Sequence, residues 1–211
     1  MKVKAQGLLN AAEYVRATYG ESAVREVLHG CSRQVQDRCS MSVTIEWHPI
    51  AEFIEFLEVA ETILEVPRGE LARACGAAGA RMNTRGVVRR AVFHLGTPAF
   101  LLKRIAGMWG QFNDAGEMEL LHLDDKYGLI EVRDVPEPNV LFCDTLTGWA
   151  EVVSETIGLV RPSVIHEQCR ARGCERCTWR IKWRGLASDK HSSALERLGT
   201  TVVPQRRSRE Q

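Results

Sequence analysis

At 211 residues with 45% hydrophobic content, the chain can bury one ordinary core and reads as one domain with appendages. Its 28 basic and 27 acidic residues leave a formal charge of +1, which removes any electrostatic case for nucleic acid or an anionic membrane surface. No apolar run approaches the roughly 20 residues a membrane span needs, and Met1-Lys-Val-Lys-Ala-Gln lacks a signal-peptide apolar core, so the chain is expected to be cytoplasmic, with its seven cysteines reduced.

Residues 7–18 predict a helix, with Leu8, Ala11, Ala12, Val15 and Tyr19 at helical spacing and Gly20 as its end. Glu21 to about Cys39 predicts a second helix, with Val24, Val27, Leu28, Cys31 and Val35 inward. Trp47-His48-Pro49 is a break, because proline disfavours helix in the residue before it. A third helix follows from Ile50 to Leu64, with Ile50, Phe53, Ile54, Leu57, Ala60 and Leu64 on one face. Residues 68–82 make an Ala/Gly-rich helix around Cys75, Gly76 and Gly79, whose small residues suit close packing or a mobile lid. Arg85, Arg89 and Arg90 form a basic cluster, read either as a solvated face or as an anion patch. His94, in an apolar run, reads as a core histidine. Thr97-Pro98 is an N-cap with proline at the first helical position, and that helix continues through Phe100, Leu101, Ile105 and Met108 to Trp109.

The pattern then changes to strands. Gly116–Leu123 and Tyr127–Val132 flank an Asp124-Asp-Lys126 turn and form a hairpin. A long helix from about Val140 to Leu159 presents Cys143, Leu146, Ala150, Val153 and Ile157 on one side. A second hairpin spans Val164–Trp183 around the motif Cys169-xxx-Gly173-xxx-Cys177. In its second arm Cys177, Trp179, Ile181 and Trp183 share a face. Two thiols so placed can chelate a soft metal or form a disulfide. Ser188–Leu198 could make one more helix, and Val203–Gln211 is charged and expected to be disordered. The order predicts an α+β domain over residues 1–185, a small antiparallel sheet of about four strands in two hairpins packed against a layer of helices, followed by a polar tail over 186–211.

Several stretches carry a resemblance: Gly7-Leu-Leu-Asn-Ala-Ala, Trp47-His-Pro49, Gly96-Thr-Pro-Ala-Phe-Leu-Leu102 with Trp109, and Cys143, Gly148, Cys169-xxx-Gly173-xxx-Cys177-x-Trp179. In order and spacing, over roughly residues 3–184, they resemble the 4-vinyl reductase-type superfamily, and more closely a myxobacteria-restricted paralogous family. The resemblance implies a fold shared with TRAPP trafficking subunits, which dimerise. It also implies a pocket between helices and sheet, which in aromatic-sensing members holds a small hydrophobic ligand. In phenol-sensing members a helix cysteine, two hairpin cysteines at this spacing and a strand carboxylate hold a structural zinc. Cys143, Cys169 and Cys177 carry over. The carboxylate does so only approximately: Leu120 stands at the expected spacing and Glu119 one residue away, on the opposite face. Glu117, His122, Asp144 and Cys174 remain as other donors, and a metal-free buried cysteine cluster remains the alternative.

No GxGxxG, Walker loop, HExxH or GxSxG is present. The five tryptophans serve packing or, in the case of Trp109 with Phe112 and the residues around Phe93, line a pocket for an apolar ligand. The expectation is a non-enzymatic, homodimeric module for signalling or regulation that binds a small hydrophobic ligand or a protein partner. Structural zinc is the one cofactor expected. The alternatives are a vinyl-reductase-type enzyme or accessory subunit acting on a tetrapyrrole-like substrate, and a structural assembly subunit.

Overall fold

A computed structural model describes residues 1–41, 43–84 and 98–186. Helical periodicity organises the first part of the chain. α1 (Gln6–Tyr19) buries Leu8, Ala11, Ala12 and Val15 and ends where Gly20 takes a positive φ of 96°. The single helix expected from Glu21 to Cys39 is two, α2 (Glu21–Gly30) and α3 (Arg33–Met41). Cys31 between them is extended. The cause lies on α4 (Ile50–Ile63). Its Glu55 accepts hydrogen bonds from the Ser32 backbone N–H and hydroxyl at 2.5 and 2.9 Å. Gly30 lies tight against the same helix, since a Cβ there would stand 3.0 Å from Val59 and 3.1 Å from Ile63. Tertiary contacts override helix propensity at this point.

The break at Trp47 is a strand. β1 (Lys2–Lys4) and β2 (Trp47–Pro49) pair antiparallel, with Val3 opposite His48. α5 (Glu70–Thr84) and α6 (Pro98–Ala106) follow. α6 stops short of Trp109, which instead begins a single 3-10 turn, Trp109–Gln111.

β3 (Glu117–Leu123), β4 (Tyr127–Arg133), β5 (Ser163–Gln168) and β6 (Cys177–Lys182) form an antiparallel sheet in the order β3-β4-β6-β5. The two expected hairpins are joined through β4 and β6, where Ile130 stands opposite Trp179 and Val132 opposite Cys177. Ile130, Val132, Cys177, Trp179 and Ile181 are buried on the face that meets the helices. The α+β architecture read from the sequence is the one observed.

α7 (Val140–Thr156) lies between this sheet and α5. Its start is set by Asn139, whose side-chain oxygen accepts from the N–H groups of Leu141 at 2.8 Å and Phe142 at 3.4 Å. Asn139→Ala removes that cap and is expected to cost about 1 kcal/mol, readable as a lower urea midpoint at unchanged slope. No helix among the described residues is long and apolar enough to cross a membrane. The helix expected at Ser188–Leu198, the charged tail, and Arg85, Arg89, Arg90 and His94 lie outside the described residues.

Candidate functional site

Small residues on α5 let α7 approach to backbone contact, and the space left beside that contact is a pocket. Gly76 and Gly79 of α5 line it, as do Thr145, Leu146 and Trp149 of α7. The cavity measures about 390 Å³, within the range of small-molecule sites. Phe53, Leu101, Ile105 and Phe142 are among its apolar lining, and Lys4, Gln6, Asn10, Asn83 and Arg104 line it as well. Two of the residues expected at a ligand site, Trp109 and Phe112, are in the lining. The third, Phe93, lies outside the described residues. Trp109 is held on two sides: its indole N–H donates to the Ala115 carbonyl at 3.0 Å, and its ring meets Phe142 edge-on at 6.1 Å. The pocket is mainly interhelical, and Met118 is the residue of the four-stranded sheet that reaches it.

A second feature lies across α7. Cys143 sits one turn inside that helix, Cys177 opens β6, Cys169 follows β5, and His166 is on β5. One donor atom from each lies within 4.8 Å of all the others. The Cys143 sulfur is 4.0 Å from both Cys177 and Cys169. Local chemistry explains the gathering. Alternation along β6 sends Cys177 inward with Trp179 and Ile181. Gly173 takes the left-handed conformation (φ 90°) that turns the loop, and the Cys174 N–H closes it onto the Cys169 carbonyl at 3.0 Å. The His166 ring lies parallel to Trp179, 4.3 Å away, and Trp179 donates to the Thr147 hydroxyl at 2.8 Å.

These sulfurs perturb one another. Hydrogen bonding with Cys143 holds the Cys177 thiol down against the effect of burial, helped by the nearby His166 ring and the Arg170 N–H at 3.3 Å. The same pairing, with burial, pushes Cys143 up. Asp144, next in sequence, is raised by burial.

Sequence reading did not place His166 here. In a regular strand, residues three apart point to opposite faces. The irregularity between His166 and Gln168 changes that parity and brings His166 to the side of Cys169. The available signal was the stacking register, His166 opposite Trp179. Glu119, the carboxylate expected to complete the set, is not brought to the thiols. It lies exposed on β3, pairing with Arg133 at 3.3 Å. Glu117 also pairs with Arg133, and His122 pairs with Asp124 at 3.0 Å. Cys174 is exposed and outside the cluster.

No family model and no curated protein matches the chain. Solved structures do. A structure probing heme distortion in the H-NOX family aligns with a TM-score of 0.67 at 14% identity, covering 87% of this chain and 96% of that one. An H-NOX protein from S. oneidensis in the Fe(II)NO ligation state aligns at 0.61 and 14% identity, covering 86% and 99%. An unliganded Fe(II) H-NOX mutant from K. algicida aligns at 0.63 with 7% identity, covering 86% and 96%. At such identities the likeness is one of fold.

Two expectations are thereby corrected. The neighbours are H-NOX domains, not vinyl-reductase or TRAPP folds, which overturns the family resemblance. The motifs that carried it, an N-capped amphipathic helix and a glycine turn between inward cysteines, are general packing and turn chemistry. The expectation of structural zinc or no cofactor is overturned too, because the matching structures are named for heme and Fe(II). Heme fits the pocket only in part. The apolar wall suits a flat ring. Yet the described lining residues include no histidine, and burial pushes the Cys75 thiol up to about 12, leaving it protonated and a poor iron ligand near neutrality. The described residues therefore fit the ring but not its iron.

Proposed function

We propose that this chain is a non-enzymatic sensor module that takes a flat apolar small molecule into the pocket between α5, α6 and α7. The carrying observation is the cavity of about 390 Å³, whose lining includes the held ring of Trp109, Phe53, Phe112 and Phe142 together with Gln6, Asn10, Asn83 and Arg104. Such a lining rewards burial of apolar area and orients a ligand through a few polar atoms. The shared fold with structures named for heme supports a flat ligand in this volume. Arg104 in the lining favours one that carries a carboxylate.

The test compares hemin with iron-free protoporphyrin IX, followed by tryptophan quenching and native mass spectrometry. Because the described lining offers an apolar wall and no axial ligand, the two are expected to bind with similar affinity. Leu146→Trp, which fills the pocket, is expected to weaken both by about tenfold or more, with the far-UV spectrum unchanged. Failure of both porphyrins to bind, or binding that Leu146→Trp leaves intact, overturns this reading.

A further inference from the structure

Resting on the reading of the cavity as a ligand site, we propose that Asn10 selects among the flat ligands it takes. Its carboxamide pairs with a ring whose edge sets a hydrogen-bond donor beside an acceptor, as an aromatic lactam does.

Two helix faces meet at this part of the wall. α1 contributes Gln6, Gly7 and Asn10, a spacing that puts them on one side of the helix, and α5 contributes Gly76, Gly79 and Asn83. In the first turn of α1 the Gln6 carboxamide donates to Asn83 Oδ1 at 2.5 Å. One turn on, Asn10 meets a glycine instead. A Cβ on Gly79 would stand 3.3 Å from Asn10 Nδ2 and 3.7 Å from its Cβ. Glycine offers no side-chain partner, so the second carboxamide lies against the α5 wall without the pairing that the first one has.

Other polar side chains of the lining are committed. Thr145 donates to the Leu141 carbonyl at 2.9 Å, Asn113 to the Trp109 carbonyl at 3.3 Å and Lys4 to the Ile45 carbonyl at 2.7 Å. Asn10, Gln111 and Arg104 have no side-chain partner among the described residues. Gln111 and Arg104 are exposed, whereas Asn10 is half-buried. An amide so placed in a mainly apolar cavity is the kind of group that fixes a ligand's orientation.

A carboxamide presents an acceptor and two donors in one plane. It therefore pairs edge-on, through two hydrogen bonds, with a ring that carries a donor next to an acceptor, the match by which asparagine reads an adenine edge. Rotation about its last bond exchanges the two ends, so either order is met. A ligand without that edge displaces water from Asn10 and leaves the amide unpaired, which is the basis of the selection.

The test titrates the full chain by calorimetry with 2-quinolone, whose ring carries N–H beside C=O, and with 1-methyl-2-quinolone, which keeps ring and carbonyl but lacks the donor. Wild type is expected to bind 2-quinolone about tenfold or more tighter. Asn10→Leu, close in volume and a better helix former, is expected to bind both at the wild-type affinity for 1-methyl-2-quinolone, with far-UV spectrum and thermal midpoint unchanged. Gln111→Leu is expected to keep the wild-type preference. Equal affinities in wild type overturn the inference, as does binding of neither quinolone. A preference that persists in Asn10→Leu is steric and overturns it too, as does one that Gln111→Leu abolishes. Porphyrin binding and its response to Leu146→Trp test the cavity itself, so a missing preference beside intact porphyrin binding removes the role of Asn10 alone.

Discussion

Gly148→Ala is expected to destabilise this protein by roughly 3 kcal/mol or more, the upper end of overpacking costs. The ordinary expectation has the opposite sign, since alanine exceeds glycine in a helix interior by about 1 kcal/mol. Here a Cβ would stand 1.9 Å from the Arg73 carbonyl oxygen and 2.8 Å from its carbon. Both are backbone atoms of α5, and no rotamer change moves them. The contact is reciprocal: a Cβ on Gly76 would stand 1.9 Å from the Thr145 carbonyl oxygen on α7. Gly76→Ala is therefore expected to cost as much. Relief requires α5 and α7 to separate, which opens the core between them. Domain stabilities of about 5–15 kcal/mol make such a loss visible at once in urea denaturation followed by far-UV circular dichroism. Gly7→Ala is the control. Its new methyl would lie 4.0 Å from Phe53, in ordinary contact, and a neutral or slightly stabilising effect is expected. Equal behaviour of all three variants would refute the close-packing account.

Trp179→Ala is expected to cost about 3–5 kcal/mol, the range for truncating a buried large aromatic. The side chain is 3% exposed, covers the His166 ring and donates to Thr147. Trp179→Phe separates these roles. It keeps a ring against His166 but removes the donor to the Thr147 hydroxyl, which still donates to the Cys143 carbonyl at 2.8 Å. About 1 kcal/mol is expected for the lost hydrogen bond, with a further cost for the smaller ring. If the alanine and phenylalanine variants unfold at the same urea concentration, ring packing is not what holds this position.

The elements that could be read in advance are those whose pattern is local. On α4, Ile50, Phe53, Ile54, Leu57 and Ala60 recur at helical spacing, and all are buried. Along β6, strict alternation foretold that Cys177, Trp179 and Ile181 point inward. Where a distant group intervenes, the pattern misleads. Helical spacing runs unbroken through Cys31, yet Glu55 captures Ser32 and ends α2. Three-residue strands such as β1 and β2 show too few alternations to register, and only their pairing with each other defines them.

Amino-acid order alone determined the buried faces of α1, α4 and β6, the two hairpins and the inward aim of Cys143 and Cys177, because side-chain direction follows from helix and strand geometry within a few residues. Only the tertiary structure decided that His166 joins those sulfurs, that Glu119 stays at the surface with Arg133, and that α5 and α7 meet backbone to backbone beside an open apolar pocket. Each of these depends on a strand irregularity or on a separation between elements far apart in the chain, and no local period encodes such distances.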